Sequence, residues 1–94
     1  MYAVIFSAKI KLFDEEYSQT AEKLRQLAFS EYFCRDFISY AEGEDEVAIS
    51  WWDSLEDIQA WKNNPAHKEA QLKGREQWYA SINVQVLEVL KEYS

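Results

Sequence analysis

Apolar and polar residues alternate early in the chain, where Phe6, Ala8, Ile10 and Leu12 stand against Ser7, Lys9 and Lys11. Ahead of them, Tyr2-Ala-Val-Ile-Phe6 is apolar at nearly every position. The pattern predicts a strand over Tyr2–Leu12, buried on both sides at its start and on one side later. Then the period changes. Tyr17, Ala21, Leu24, Leu27 and Ala28 recur at helical spacing, with Glu22, Lys23, Arg25 and Gln26 on the opposite side. Asp14-Glu15-Glu16 supplies a cap and an acidic first turn, which the helix dipole favours. A helix is expected from Glu15 to Tyr32.

Arg35 to Glu42 reads as a second strand centred on Phe37 and Ile38, and Glu46 to Trp52 as a third. Between them Glu42-Gly43-Glu44-Asp45 forms a hairpin turn, its glycine free to take positive φ. Asp53-Ser-Leu-Glu56 matches a capping box with Asp53 as the cap, so a helix is expected over Ile58 and Trp61. Asn63-Asn64-Pro65 interrupts it, because Asn suits a new cap and Pro the first helical position. A second helical piece is expected to run to about Tyr79. Ile82 to Leu90, rich in valine, reads as the last strand.

The order β-α-β-β-α-β is the ferredoxin-like α+β plan, an antiparallel sheet with its helices on one face. Residues 1–94 form one domain, with no linker and no repeat. One sheet face is left bare. The chain is 48% hydrophobic and 16% aromatic, a heavy apolar load for so small an interior. A second copy covering the bare face is the economical answer, and a homodimer is expected.

Charge and cysteine content narrow the partners. A net charge of −7 argues against nucleic acid or anionic membrane. No apolar run approaches the ~20 residues of a membrane span. One cysteine and one histidine exclude an internal disulfide and a four-ligand metal site. Cys34 reads as an inert buried thiol. A lone thiol, with no export signal in Met1–Lys11, fits the reducing cytoplasm.

His67, Gln71, Gly74 and Trp78 fall at i, i+4, i+7 and i+11, one stripe of an uninterrupted helix. Such a stripe makes a poor hydrocarbon core. It offers polar groups, an aromatic wall and a gap at glycine, the ingredients of a small-molecule pocket. Gly74 inside a helix also costs about 1 kcal/mol against alanine, which implies that something approaches it closely. Plainer roles stand beside these. His67 also suits a helix cap, Trp61 and Trp78 suit core or dimer packing, and Arg75 suits a glutamate partner. Tyr79 suits a structural corner, its hydroxyl bonded to backbone.

Ser50-Trp51-Trp52-Asp53-Ser54-Leu55-Glu56-Asp57-Ile58-Gln59-Ala60-Trp61 is followed by His67, Ala70-Gln71, Gly74-Arg75 and Trp78-Tyr79. This succession resembles the antibiotic biosynthesis monooxygenase (ABM) domain family, whose common form carries an H-x-x-A-Q-x-x-G-R-x-x-W-Y pattern after a helical Trp. The resemblance spans the whole chain and implies a dimeric α/β barrel. It also implies one of two chemistries. Some members bind and open haem with an Asn on the first strand, a helical Trp and a His ten residues later. Here Trp61 is present, but Ala8 and Gln71 occupy the other two positions, which disfavours haem. Other members oxidise aromatic polyketides with molecular oxygen and no metal or flavin, and place a Tyr near His67.

That second chemistry needs a base to deprotonate a phenol or quinol and a donor for the developing oxyanion. His67 is the one side chain with an ordinary pKa near neutrality. The resemblance thus implies His67 and Arg75 as catalytic groups, Gln71 as an alternative donor, and Trp52, Trp61 and Trp78 as walls around a small aromatic substrate. A dimeric small-ligand-binding protein without chemistry is the competing expectation.

Overall fold

The computed structural model describes residues 1–94. Its elements are β1 (Tyr2–Ile10), α1 (Glu15–Glu31), β2 (Asp36–Glu42), β3 (Asp45–Trp52), α2 (Leu55–Lys62), α3 (Pro65–Lys73), a π-turn (Gly74–Trp78) and β4 (Tyr79–Glu88). The four strands form one antiparallel sheet in the order β2-β3-β1-β4, so the first strand lies inside and the last at an edge. This is the expected α+β, ferredoxin-like plan.

Register decides which side chains share a face. Tyr2, Val4, Phe6 and Ala8 stand opposite Trp52, Ser50, Ala48 and Glu46. Val4 and Trp52 from this set pack with Ala28, Cys34, Ile58 and Trp61, so this is the helix face. The other parity puts Ile5, Ile38 and Ile49 in one row across three strands, with Val47 and Trp51 flanking it on β3. No helix covers them. Tyr40 and Leu87 on the same face are exposed.

Local signals explain most boundaries. Asp14 caps α1, its side chain accepting from the Tyr17 N–H at 2.8 Å. The α2 cap is Ser54, which accepts from the Asp57 N–H, and not the expected Asp53. Asp53 instead takes a 2.8 Å ion pair from Arg35. Either residue suits a cap, and the Arg35 partnership decides between them. Asn64 caps α3 with Pro65 behind it, as the Asn-Asn-Pro break predicts.

Two ends differ from expectation. β1 stops at Ile10, because the Lys11 and Leu12 N–H groups turn to the Trp78 carbonyl. The second helical segment ends in the π-turn, and β4 starts at Tyr79 rather than Ile82. At the end of α1, the Cys34 N–H reaches back to the Ala28 carbonyl, which places Phe33 in the left-handed region at φ 63°. Glycine is the usual occupant there. Phe33 is also 72% exposed, so packing does not offset that strain.

Candidate functional site

Two aromatic clusters occupy opposite ends of the helix face. The first is built where β1 begins and β3 ends. Trp52 is fully buried, and its indole N–H donates to Ser50 Oγ at 2.8 Å. Trp61 of α2 packs on it with ring centroids 5.1 Å apart. The Trp61 indole N–H donates to the Leu24 carbonyl of α1 at 3.1 Å, tying both helices to the sheet. His67, in the first turn of α3, meets Trp61 edge-on at 4.4 Å.

Burial lowers the His67 pKa, and the nearby positive charge of Lys62 lowers it further. The imidazole is therefore a free base at neutral pH. Its Nδ1 is buried and has no hydrogen-bond partner.

The second cluster lies where β1 ends and β3 begins. The Tyr17 hydroxyl of α1 donates to the Glu46 carboxylate on β3. Trp78 and Tyr79 pack edge-on against Tyr17, at 5.2 and 5.8 Å, and Phe6 packs on Tyr79 at 5.4 Å. Burial raises the Glu46 pKa. Burial and the Glu46 charge together push the Tyr79 phenol well above its ordinary value. Sequence reasoning passed over Tyr17 and Glu46. Strand parity carried the signal: Glu46 shares its face with Ser50 and Trp52, so it points under the helices.

Of the expected site residues, the fold brings Trp52, Trp61 and His67 together. Trp78 joins the other cluster. Gln71 and Arg75 lie exposed on the surface. The expected stripe fails because of the π-turn, whose Tyr79 N–H reaches back five residues to the Gly74 carbonyl. One extra residue in the turn moves Trp78 off the His67 stripe and onto that of Ala66, Ala70 and Lys73. The gap expected at Gly74 is also filled. A Cβ there would stand 2.6 Å from the Tyr79 ring, so the close approach is made by the chain itself. The Tyr79 hydroxyl makes no hydrogen bond to backbone.

Ala66, Ala70, Lys73 and Trp78 line one wall of a cavity of about 190 Å³ between α1 and α3. Its size is below the ~300 Å³ lower end of cofactor pockets. Haem does not fit these residues, since Gln71 is on the surface and Ala8 is buried opposite Glu46. No three His, Cys, Asp or Glu side chains gather as metal ligands.

The Glu46 environment sets a pH dependence. Its folded pKa lies above the unfolded one, so its contribution is full below the ordinary carboxylate range and is lost as pH rises through the folded value. His67 acts oppositely, costing stability as pH falls below about 6.5. Glu46→Gln keeps an acceptor for Tyr17 and has no charge to bury. Urea midpoints across this range should show its advantage over wild type growing with pH, and a constant difference would contradict the assignment.

No family model matches the chain. It is 36% identical over 90 residues to the uncharacterised protein YqjZ of Bacillus subtilis, covering 94% of this chain and 78% of that one. SnoaB of Streptomyces nogalater, a cofactor-independent oxygenase, superposes with a TM-score of 0.80 at 8% identity, over 97% of this chain and 94% of SnoaB. An antibiotic biosynthesis monooxygenase superposes with a TM-score of 0.77 at 13% identity, over 97% of this chain and all (100%) of that one. At 36% identity over nearly its whole length the chain belongs to one family with YqjZ, and its fold is that of the antibiotic biosynthesis monooxygenase domains.

Proposed function

We propose that this chain is a cofactor-independent monooxygenase acting on a small phenol, quinol or anthrone-like compound with molecular oxygen. The observation that carries the reading is His67: an uncharged imidazole at neutral pH, half-buried against Trp61, with one ring nitrogen free of any partner. Removal of a phenolic proton by that imidazole leaves an anion able to pass an electron to oxygen. The resulting radical pair forms the carbon–oxygen bond of a peroxide, which takes back the proton from the imidazole and loses water to leave a carbonyl, the substrate supplying the electrons that reduce the second oxygen atom. Trp52 and Trp61 supply the apolar wall, and SnoaB shows that this fold supports oxygenation without a cofactor. Arg75 and Gln71, exposed in the single chain, serve as oxyanion donors only if a ligand or a second copy covers them.

Oxygen uptake with a panel of hydroquinones and anthrones tests the reading. Wild type should consume oxygen, and His67→Ala should lose about 10²-fold or more, the usual worth of a general base. Uptake unchanged in His67→Ala would remove the base. Silence of the wild type across the panel would favour the ligand-binding alternative.

The same reading takes the chain as a homodimer joined through the bare sheet face. Ile5, Ile38, Val47, Ile49 and Trp51 give that face an apolar centre, and Tyr40 extends it. Light scattering at micromolar concentration should return twice the 11.1 kDa chain mass. A monomer there would end the dimer reading.

A further inference from the structure

We infer that the open corner between α1 and β2 binds a small organic ammonium ion, with Glu46 as its counter-ion. Ser39 and Ala41 of β2 stand opposite Ala48 and Glu46, so they share the helix face of the sheet. Both are nonetheless exposed. On α1, Ala21 follows Tyr17 by one turn, and it is exposed where Tyr17 and Ala28 are buried. Arg25, one turn further on, lies over the Phe37 ring of β2 at 5.6 Å from its centroid, so this side of α1 faces β2. The helix therefore leaves the hairpin end of β2 uncovered. Ala21, Ser39, Ala41 and Ala48 are small side chains bordering the opening, and the half-buried Glu46 stands at its end.

The carboxylate there lacks a cation. The ion pairs of the chain join Lys9 to Asp45, Arg35 to Asp53 and Lys73 to Glu16, and none reaches Glu46. Around it, α1 supplies the Tyr17 phenol and β4 the Tyr79 phenol, while the strand neighbours Ala8 and Ala41 carry no charge. Burial without a compensating charge holds the Glu46 pKa above its ordinary value. A cation brought to that carboxylate offsets part of its lost hydration. The net charge of −7 also draws cations towards the chain and repels anions. A metal ion is not selected, because no three His, Cys, Asp or Glu side chains gather to hold one. The small apolar borders select instead an ammonium that carries a short hydrocarbon chain. From Ala41 back to Phe37 the floor runs roughly 13 Å at the ordinary rise of a strand. There the Arg25 guanidinium closes it to a second positive charge. His67 packs against Trp61 instead, so this corner stands apart from the oxygenase reading.

Titration of the ¹⁵N-labelled full chain with hexylammonium, followed by backbone amide shifts, tests it. The amides of Ala21, Ser39, Ala41 and Glu46 should move together and saturate at roughly millimolar ligand. Affinity should rise as pH climbs through the folded Glu46 value, because only the ionised carboxylate pairs with the cation. Glu46→Gln keeps the acceptor for Tyr17 and removes the charge. It should weaken binding about tenfold or more, a loss of ~1.4 kcal/mol, and abolish the pH dependence. Ala21→Leu, at an exposed helix position, narrows the opening with the carboxylate intact and should weaken binding by a similar factor. Hexanol, the uncharged counterpart, should bind about tenfold more weakly than hexylammonium. The inference is overturned if hexanol binds equally well, if either variant binds as wild type does, if affinity ignores pH, or if other amides saturate in place of these. Binding is read without turnover, so a silent oxygen-uptake assay leaves it untouched.

Discussion

Trp52→Ala should remove a large share of the protein's stability and shift its urea midpoint strongly downward. Trp52 is fully buried at the junction of β3 with both helices, packed on Trp61 at 5.1 Å. Truncating a buried aromatic costs about 3–5 kcal/mol through lost transfer energy and the cavity left behind. A domain of this size holds only about 5–15 kcal/mol in all. The change also strands the Ser50 hydroxyl, which is 2% exposed and otherwise bonded to the indole. Trp52→Phe keeps most of the volume and should lose roughly half as much. Urea unfolding followed by circular dichroism measures both. A Trp52→Ala midpoint within error of wild type would show that this end of the sheet is not the stability centre.

Gly74→Ala carries the second large effect, and its sign opposes the usual expectation. Alanine normally gains about 1 kcal/mol over glycine within a helix. Here the new Cβ would lie 2.6 Å from Tyr79 Cε2 and 2.8 Å from Cδ2. The ring has little room to yield, since Phe6 and Tyr17 hold it at 5.4 and 5.8 Å. Overpacking of this kind costs about 1–3 kcal/mol, so a net loss is expected. A double-mutant cycle isolates the cause. In a Tyr79→Ala background the same Gly74→Ala change should become neutral or stabilising. Equal losses in both backgrounds would mean that the Tyr79 contact is not responsible.

How much of this was legible in the sequence depends on the kind of signal. Strand alternation and the Asn63-Asn64-Pro65 break are local and strong, and they fix the element order and hence the fold. Cap choice was less secure, because Asp53 and Ser54 are chemically equivalent caps until Arg35, 18 residues away, claims one of them. The pocket stripe was the least legible. Placing His67, Gln71 and Trp78 on one line assumes a constant period of 3.6, and the π-turn breaks that assumption between them. Gly74 marked the place correctly, although its close neighbour proved to be a side chain of the same chain. Glu46 and Tyr17 meet from elements 29 positions apart, a pairing that no local pattern announces.

The π-turn also gives this helix a tolerance of length that a regular helix lacks. An α-helix turns about 100° per residue. Losing one residue between Gly74 and Trp78 would restore a regular helix and leave the indole in place, four residues after Lys73 and seven after Ala70. A surface loop usually absorbs a one-residue deletion. Here a helix would absorb one as well, because the residue lost is the one that the π-turn accommodates. Relatives with and without the extra residue would then keep the same fold and the same placement of this tryptophan.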